Sequence, residues 1–159
     1  MPQDRPWRGE FVPLLDRIAA GPAIDRLLAD EFSAGDADAF LHYNKEAPSR
    51  AFALRVEGDS MEPDFRSGDV VVVDPDQRVT DGLACVCYEI DGQRRGRLKC
   101  IRPSGLARAR LPSPGGRKGK DLVLESLNPA HPPERFKADQ VDAFKVIAHL
   151  PLIRKESAP

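Results

Sequence analysis

The chain has 159 residues, 41% of them hydrophobic, and sets 24 Lys and Arg against 25 Asp and Glu for a formal net charge of −1. That length and apolar content suit one modest core with a short arm, and the balanced charge argues against a general nucleic-acid surface. No apolar run reaches the ~20 residues of a membrane helix and the N-terminus lacks a signal-peptide core, so the expected protein is cytoplasmic and does not engage a membrane.

Fifteen prolines and twelve glycines stand among short Val, Ile and Leu runs, a pattern of many strands and turns rather than long helices. Near the N-terminus, residues 12–23 carry the small residues Ala19, Ala20 and Gly21, which suit a turn. Beyond it Ile24, Leu27, Leu28 and Phe32 have the spacing of a short amphipathic helix.

Next, Phe52, Leu54 and Val56 alternate with Ala53, Arg55 and Glu57, the signature of a strand with one buried face. Gly58 ends that run, and Asp59 and Ser60 are N-cap residue types. A short helical turn through Met61, Glu62, Pro63 and Asp64 would aim backbone N–H groups near the serine oxygen, where an oxyanion could be held. A serine in that position is either a cap or, given a base, a nucleophile.

Residues 70–73, 83–90, 97–102, 122–127 and 141–150 read as further strands, with Asp91-Gly92 as a hairpin tip between the second and third. Within residues 97–102, Lys99 is flanked by Leu98 and Cys100. Burial there could lower its amine pKa by up to roughly 3–5 units and make it a base; alternatively its stem packs on the sheet and its ammonium reaches water. Lys118 and Lys120 lie instead in a Gly-rich stretch.

The three histidines, His42, His131 and His149, have no orienting acid beside them in sequence, which disfavours a Ser-His-Asp triad. Cys85, Cys87 and Cys100 are odd in number and lack metal or redox spacing. They read as buried reduced thiols, and no metal or cofactor is expected. Arg94, Arg95, Arg97, Lys99, Arg102 and Arg108 make a local basic cluster, continued by Arg110, Arg117, Lys118 and Lys120. It reads as a solvated hairpin or as a partner-binding patch.

Taken together, Val56-Glu-Gly-Asp-Ser60-Met-Glu-Pro63, then Ser67-Gly-Asp-Val-Val-Val-Val-Asp-Pro75, Asp81-Gly82, Leu98-Lys99 and Leu122-Val-Leu-Glu-Ser-Leu-Asn128-Pro129 resemble the LexA/UmuD-like self-cleaving serine peptidase domain. The resemblance covers about residues 11–154. It implies a mainly β fold with short helical turns and an N-terminal cleavage arm: arm, loop and short helix in 1–33, peptidase domain in 34–154, tail in 155–159. It also implies a dyad with Ser60 as nucleophile and Lys99 as general base, an oxyanion hole from the backbone amides of Asp59 and Ser60, and self-cleavage between Ala20 and Gly21. The separation of Ser60 and Lys99, 39 residues, is slightly wider than the family pattern, with Arg94 to Gly96 and the stretch 112–120 as loop expansions. A one-residue slip in register would turn Lys99 to the other face.

Further implications are a homodimer through residues 141–150, control by a RecA–single-strand DNA filament, and a DNA-damage (SOS) or prophage-type response. Only ten residues precede the arm segment, too few for a helix-turn-helix domain, so no direct DNA binding by this chain is expected. It reads as naturally short in the manner of UmuD, with an error-prone DNA polymerase as partner, or as the C-terminal part of a repressor. The rival from another class is a dimerisation or partner-binding module of the same fold that never cleaves.

Overall fold

A computed structural model describes residues 9–15, 21–29, 31, 34–37, 39–43, 45–103 and 121–153. Nine strands form one sheet: β1 Phe11–Leu15, β2 Ala39–His42, β3 Phe52–Arg55, β4 Val70–Arg78, β5 Gly82–Ile90, β6 Gln93–Pro103, β7 Asp121–Glu125, β8 Glu134–Lys137 and β9 Asp142–Leu150. Their spatial order is β2-β1-β3-β4-β9-β5-β6-β7-β8. All neighbours run antiparallel except β1 and β3. One α-helix, α1 Gly21–Leu28, and 3-10 turns at Ala34–Asp36 and Ala138–Gln140 complete the described elements. The mainly β class read from the sequence holds.

All five expected strands are present, and the Asp91-Gly92 tip is a two-residue hairpin closing on the pair Ile90↔Gln93. Both tip residues have positive φ, 52° and 76°, the left-handed pair that such turns require and that Asp-Gly supplies at low steric cost. Arg94, Arg95 and Gly96 extend β6 within this hairpin. The stretch 112–120, with Arg117, Lys118 and Lys120, and the nearby Arg108 and Arg110 lie outside the described residues.

The single buried face expected for residues 52–57 proves to be two. Phe52, Leu54 and Val56 enter a core with Leu15, Leu27, Met61, Phe65, Val71, Val73, Cys85, Cys87, Leu98, Cys100 and Phe144. Ala53, on the opposite face, is fully buried among Val12, Leu14, Ala51, Val70 and Val72. The run Val70-Val-Val-Val73 explains this: its side chains alternate between both cores, so each face of the adjoining strand is covered. A third cluster unites Ala84, Val86, Tyr88, Ile101, Leu124, Val141 and Ala143.

β1, which the sequence reading placed in the arm, is built into the sheet. Val12, Leu14 and Leu15 are buried, and the strand pairs with β2 on one side and β3 on the other. At full burial each such side chain contributes roughly 1.5–3 kcal/mol. The helix expected over Ile24, Leu27 and Leu28 is α1, which begins at Gly21 and ends before Phe32. It packs against β6, and Leu27 is fully buried in the core shared with Leu98 and Cys100.

The three cysteines are free and buried. Cys85 and Cys87 share one face of β5, where their mutual hydrogen bond, and then burial, push the Cys85 thiol well up from its ordinary range.

Candidate active site

Ser60 follows β3 in a tight bend. Gly58 takes φ +76°, a conformation costly for a side-chain-bearing residue, and this turns the chain out of the strand direction. Glu62 N–H then donates to Asp59 C=O at 3.1 Å and Phe65 N–H to Met61 C=O at 2.9 Å. The segment is a pair of hydrogen-bonded turns instead of a short helix, because Pro63 offers no N–H to continue one. Met61 and Phe65 are buried and pin the bend to the main core, while Ser60 is half-buried.

Bonds from elsewhere hold this bend. Asn128 N–H donates to Ser60 C=O at 2.9 Å, and Asn128 Nδ2 donates to Asp59 C=O at 3.0 Å. His131 Nε2 meets Asp59 Oδ1 at 2.7 Å. Asn128 Oδ1 in turn accepts from Ala130 N–H, so one asparagine orders its own turn and clamps the serine's.

Behind the bend, Val56 N–H donates to Asp69 C=O and Gly68 N–H to Val56 C=O. The Asp69 carboxylate, 3% exposed, accepts from Arg66 N–H, Leu152 N–H and His149 Nε2 at 2.9–3.0 Å. Burial pushes this carboxyl up, but those two amides and the histidine together hold it below the ordinary carboxylate range. The His149 ring also lies tilted against that of Phe65, with ring centroids 4.4 Å apart.

Lys99 is positioned quite differently. It sits inside β6 opposite Ala84 of β5, and the ladder pairs the next residue, Cys100, with Glu125 of β7. Alternation sends Leu98 and Cys100 into the main core and Lys99 to the face of Ile101. The lysine is only 6% exposed. Burial lowers its amine below the ordinary lysine range; the Glu134 carboxylate acts against that shift and the Arg97 guanidinium with it. Burial on the sheet thus disfavours the alternative of a fully solvated ammonium.

Lys99 Nζ donates to Ser126 Oγ at 2.7 Å. Among the described residues no hydrogen bond joins Lys99 Nζ to Ser60. The two are linked through the segment after β7: Ser126 bonds to the lysine, and Asn128, two residues on, bonds to the serine. Ser126 and Asn128 both lie in the motif read from the sequence, which gave neither a role. All three histidines do have acids beside them, but Glu10 for His42, Asp59 for His131 and Asp69 for His149 are distant in sequence.

Of the cleavage pair, Gly21 opens α1 and Ala20 lies outside the described residues. Among the described residues no group of three or more His, Cys, Asp or Glu could hold a metal ion, and no helix is long and apolar enough to cross a membrane.

A single mostly antiparallel sheet carries a buried lysine that one short segment, residues 126–128, links to a serine-bearing bend. Comparison with known sequences makes this specific. Residues 13–102 match the Peptidase S24-like family, and the chain belongs to that family. It is 33% identical over 135 residues to the LexA repressor of Deinococcus radiodurans, covering 84% of this chain and 55% of the relative. It is 34% identical over 131 residues to the LexA repressor of Rhodospirillum rubrum, covering 82% and 44%. An HTH-type transcriptional regulator for conjugative element R391 from Providencia rettgeri is 29% identical over 126 residues, covering 76% and 51%. The chain thus spans about half the length of these relatives.

Proposed function

We propose that this chain is a self-cleaving serine peptidase in which Ser60 attacks the Ala20 carbonyl and Lys99 is the general base. The observation that carries this reading is the burial of Lys99, which pushes its amine toward the neutral state at a position tied to the serine's bend through Ser126 and Asn128. Neutral Lys99 takes the Ser60 hydroxyl proton as Oγ bonds to the carbonyl carbon, and the backbone amides of Asp59 and Ser60 hold the oxyanion. Collapse breaks the Ala20–Gly21 bond, the proton passes to the Gly21 amine, and water then hydrolyses the Ala20 ester.

A neutral amine has one lone pair and two N–H groups. Its bond to Ser126 leaves the lone pair for Ser60, and catalytic hydrogen bonds often tighten only when substrate is docked. The substrate segment is tethered between β1 and α1, so it acts at high effective concentration. A partner that binds the docked form better shifts the population toward cleavage, and by likeness to LexA and UmuD that partner is a RecA–single-strand DNA filament.

The biological setting we infer is transcriptional control in a DNA-damage or prophage-type response, supported by relatives named as LexA repressors and as a transcriptional regulator for a conjugative element, with an error-prone polymerase as partner if the role is UmuD-like. A homodimer through β9 is supported by its second half. Phe144 and Lys145 pair with both β4 and β5, whereas the pairs beyond Lys145 are with β4 alone among the described residues.

The test is intact mass under denaturing conditions after incubation at pH 7 and pH 10, with and without a RecA filament, for wild type, Ser60→Ala and Lys99→Ala. Wild type should separate into fragments 1–20 and 21–159, faster at pH 10, and both variants should stay whole. Denaturation matters, because β1 would remain paired in the sheet after the cut. A wild-type chain that stays intact in every condition defeats the proposal and leaves a binding module.

A further inference from the structure

We propose that the Ser126 hydroxyl is a positioning group for the Lys99 amine, fixing its rotamer so that the amine lone pair is free to face Ser60. The inference deepens the self-cleavage reading and rests on it. Its ground is geometric. Lys99 is 6% exposed and its amine meets the Ser126 oxygen at 2.7 Å.

The sheet makes that contact reproducible. Cys100 pairs with Glu125 across β6 and β7, so Lys99 and Ser126 are the next residues along the two chains and fall on the same face. A lysine has a long stem with many rotamers, and a strand fixes only where that stem begins. An acceptor at its far end fixes where it finishes. Serine is suited to this because its hydroxyl accepts from the amine whether the amine is neutral or charged.

The segment that carries Ser126 also carries Asn128, whose side chain and N–H clamp Asp59 and Ser60. One short stretch, residues 126–128, therefore sets both the base and the bend of the nucleophile. Its loss at Ser126 should disturb the base alone.

The experiment uses the full chain with Ser126→Ala and Ser126→Thr, following self-cleavage across a pH series and comparing each variant's high-pH plateau, where the amine is neutral. By analogy with small misplacements of catalytic groups, Ser126→Ala should slow cleavage about 10- to 100-fold, and Ser126→Thr, which keeps a hydroxyl, should stay within about five-fold of wild type. Thermal unfolding of each variant reports whether the fold is kept. Should Ser126→Ala fail to fold, Ser126→Cys, with only a weakly accepting sulfur, takes its place.

A second readout needs no activity. In protein carrying 13C-labelled lysine, the titration midpoint of Lys99 should fall in Ser126→Ala and be retained in Ser126→Thr, because an accepted hydrogen bond favours the ammonium. Cleavage by Ser126→Ala at or above the wild-type rate overturns the proposal, and a faster rate would mean that Ser126 draws the amine away from Ser60. Equal slowing by alanine and threonine, or an unmoved midpoint, overturns it as well. These outcomes leave the self-cleavage reading standing if wild type cleaves; silence of wild type at every pH removes that reading and this proposal together.

Discussion

Lys99 and Ser60 are held by opposite means. The lysine lies within an eleven-residue strand, β6, whose ladders to β5 and β7 fix its register, so its chemistry is set by burial in a rigid surface. The serine lies in a bend that belongs to no strand, and its place depends on a few hydrogen bonds from Asn128 and on the Asp69 knot behind it. A base whose proton affinity must be shifted needs a dry, fixed environment. A nucleophile that must meet a moving peptide needs a turn that presents it. Changes that loosen the bend should therefore affect activity and stability in different proportions from changes around the lysine.

The largest effect is expected at the knot. Asp69→Ala removes three hydrogen bonds to a buried carboxylate and strands the amides of Arg66 and Leu152, at roughly 1–3 kcal/mol per unsatisfied buried group. Chemical denaturation should show a loss of about 2–4 kcal/mol, with self-cleavage reduced in parallel. The pH dependence has a definite sign. Asp69 is depressed in the folded state, so its contribution is present above the ordinary carboxylate range near 3.9 and is lost as pH falls through the lower folded value. In Asp69→Ala this part of the acid destabilisation should vanish.

Asn128→Ala should separate the two quantities. It removes the side-chain bond to Asp59 C=O at a partly solvated position, worth about 0.5–1.5 kcal/mol of stability. A displaced nucleophile costs far more in rate, and a fall of about ten-fold or greater is expected. If cleavage fell only in proportion to stability, the bend would owe its placement to Met61 and Phe65 alone. His131→Ala makes the control: its contact with Asp59 is exposed on both sides, and such pairs give about 0–1 kcal/mol, so both stability and rate should hardly change.

How much of this was legible in the chain follows the same division. The Val70–Val73 run, the Asp91-Gly92 tip and the strand around Lys99 were readable because hydrophobic period and turn chemistry are local. β1 was not, since Pro13 argues against an interior strand. The parallel ladder with β3 avoids the conflict by engaging only Leu14 and Leu15. β8, four residues Glu-Arg-Phe-Lys after two prolines, carries too little apolar pattern to announce itself; it is held by Asp121, which pairs with Arg135 and Lys137 across the ladder. The Lys99–Ser126 contact depends on register across residues 104–120, and no local signal sets that register. The motif around Ser60 named its neighbourhood, yet its clamps come from 59 to 128 and 69 to 152, separations that a single sequence does not reveal.

The smallest expected effect tests the lysine's side of the contrast. Glu134, exposed on β8, is the carboxylate that opposes the burial-driven fall of the Lys99 amine, while Arg97 reinforces the fall. Glu134→Gln removes a negative charge that favours the ammonium, so the folded-state midpoint of Lys99 should drop further. Since the neutral amine is the active form, the rate-against-pH curve should move to lower pH, modestly because the charge is solvent-screened. Cleavage near pH 7 should rise about two-fold, while the plateau reached once the amine is fully neutral stays put. Arg97→Gln should move the curve the other way, toward higher pH. A plateau that changed in either variant would mean that these charges also position the amine, and would bring the lysine closer to the serine in how it is held.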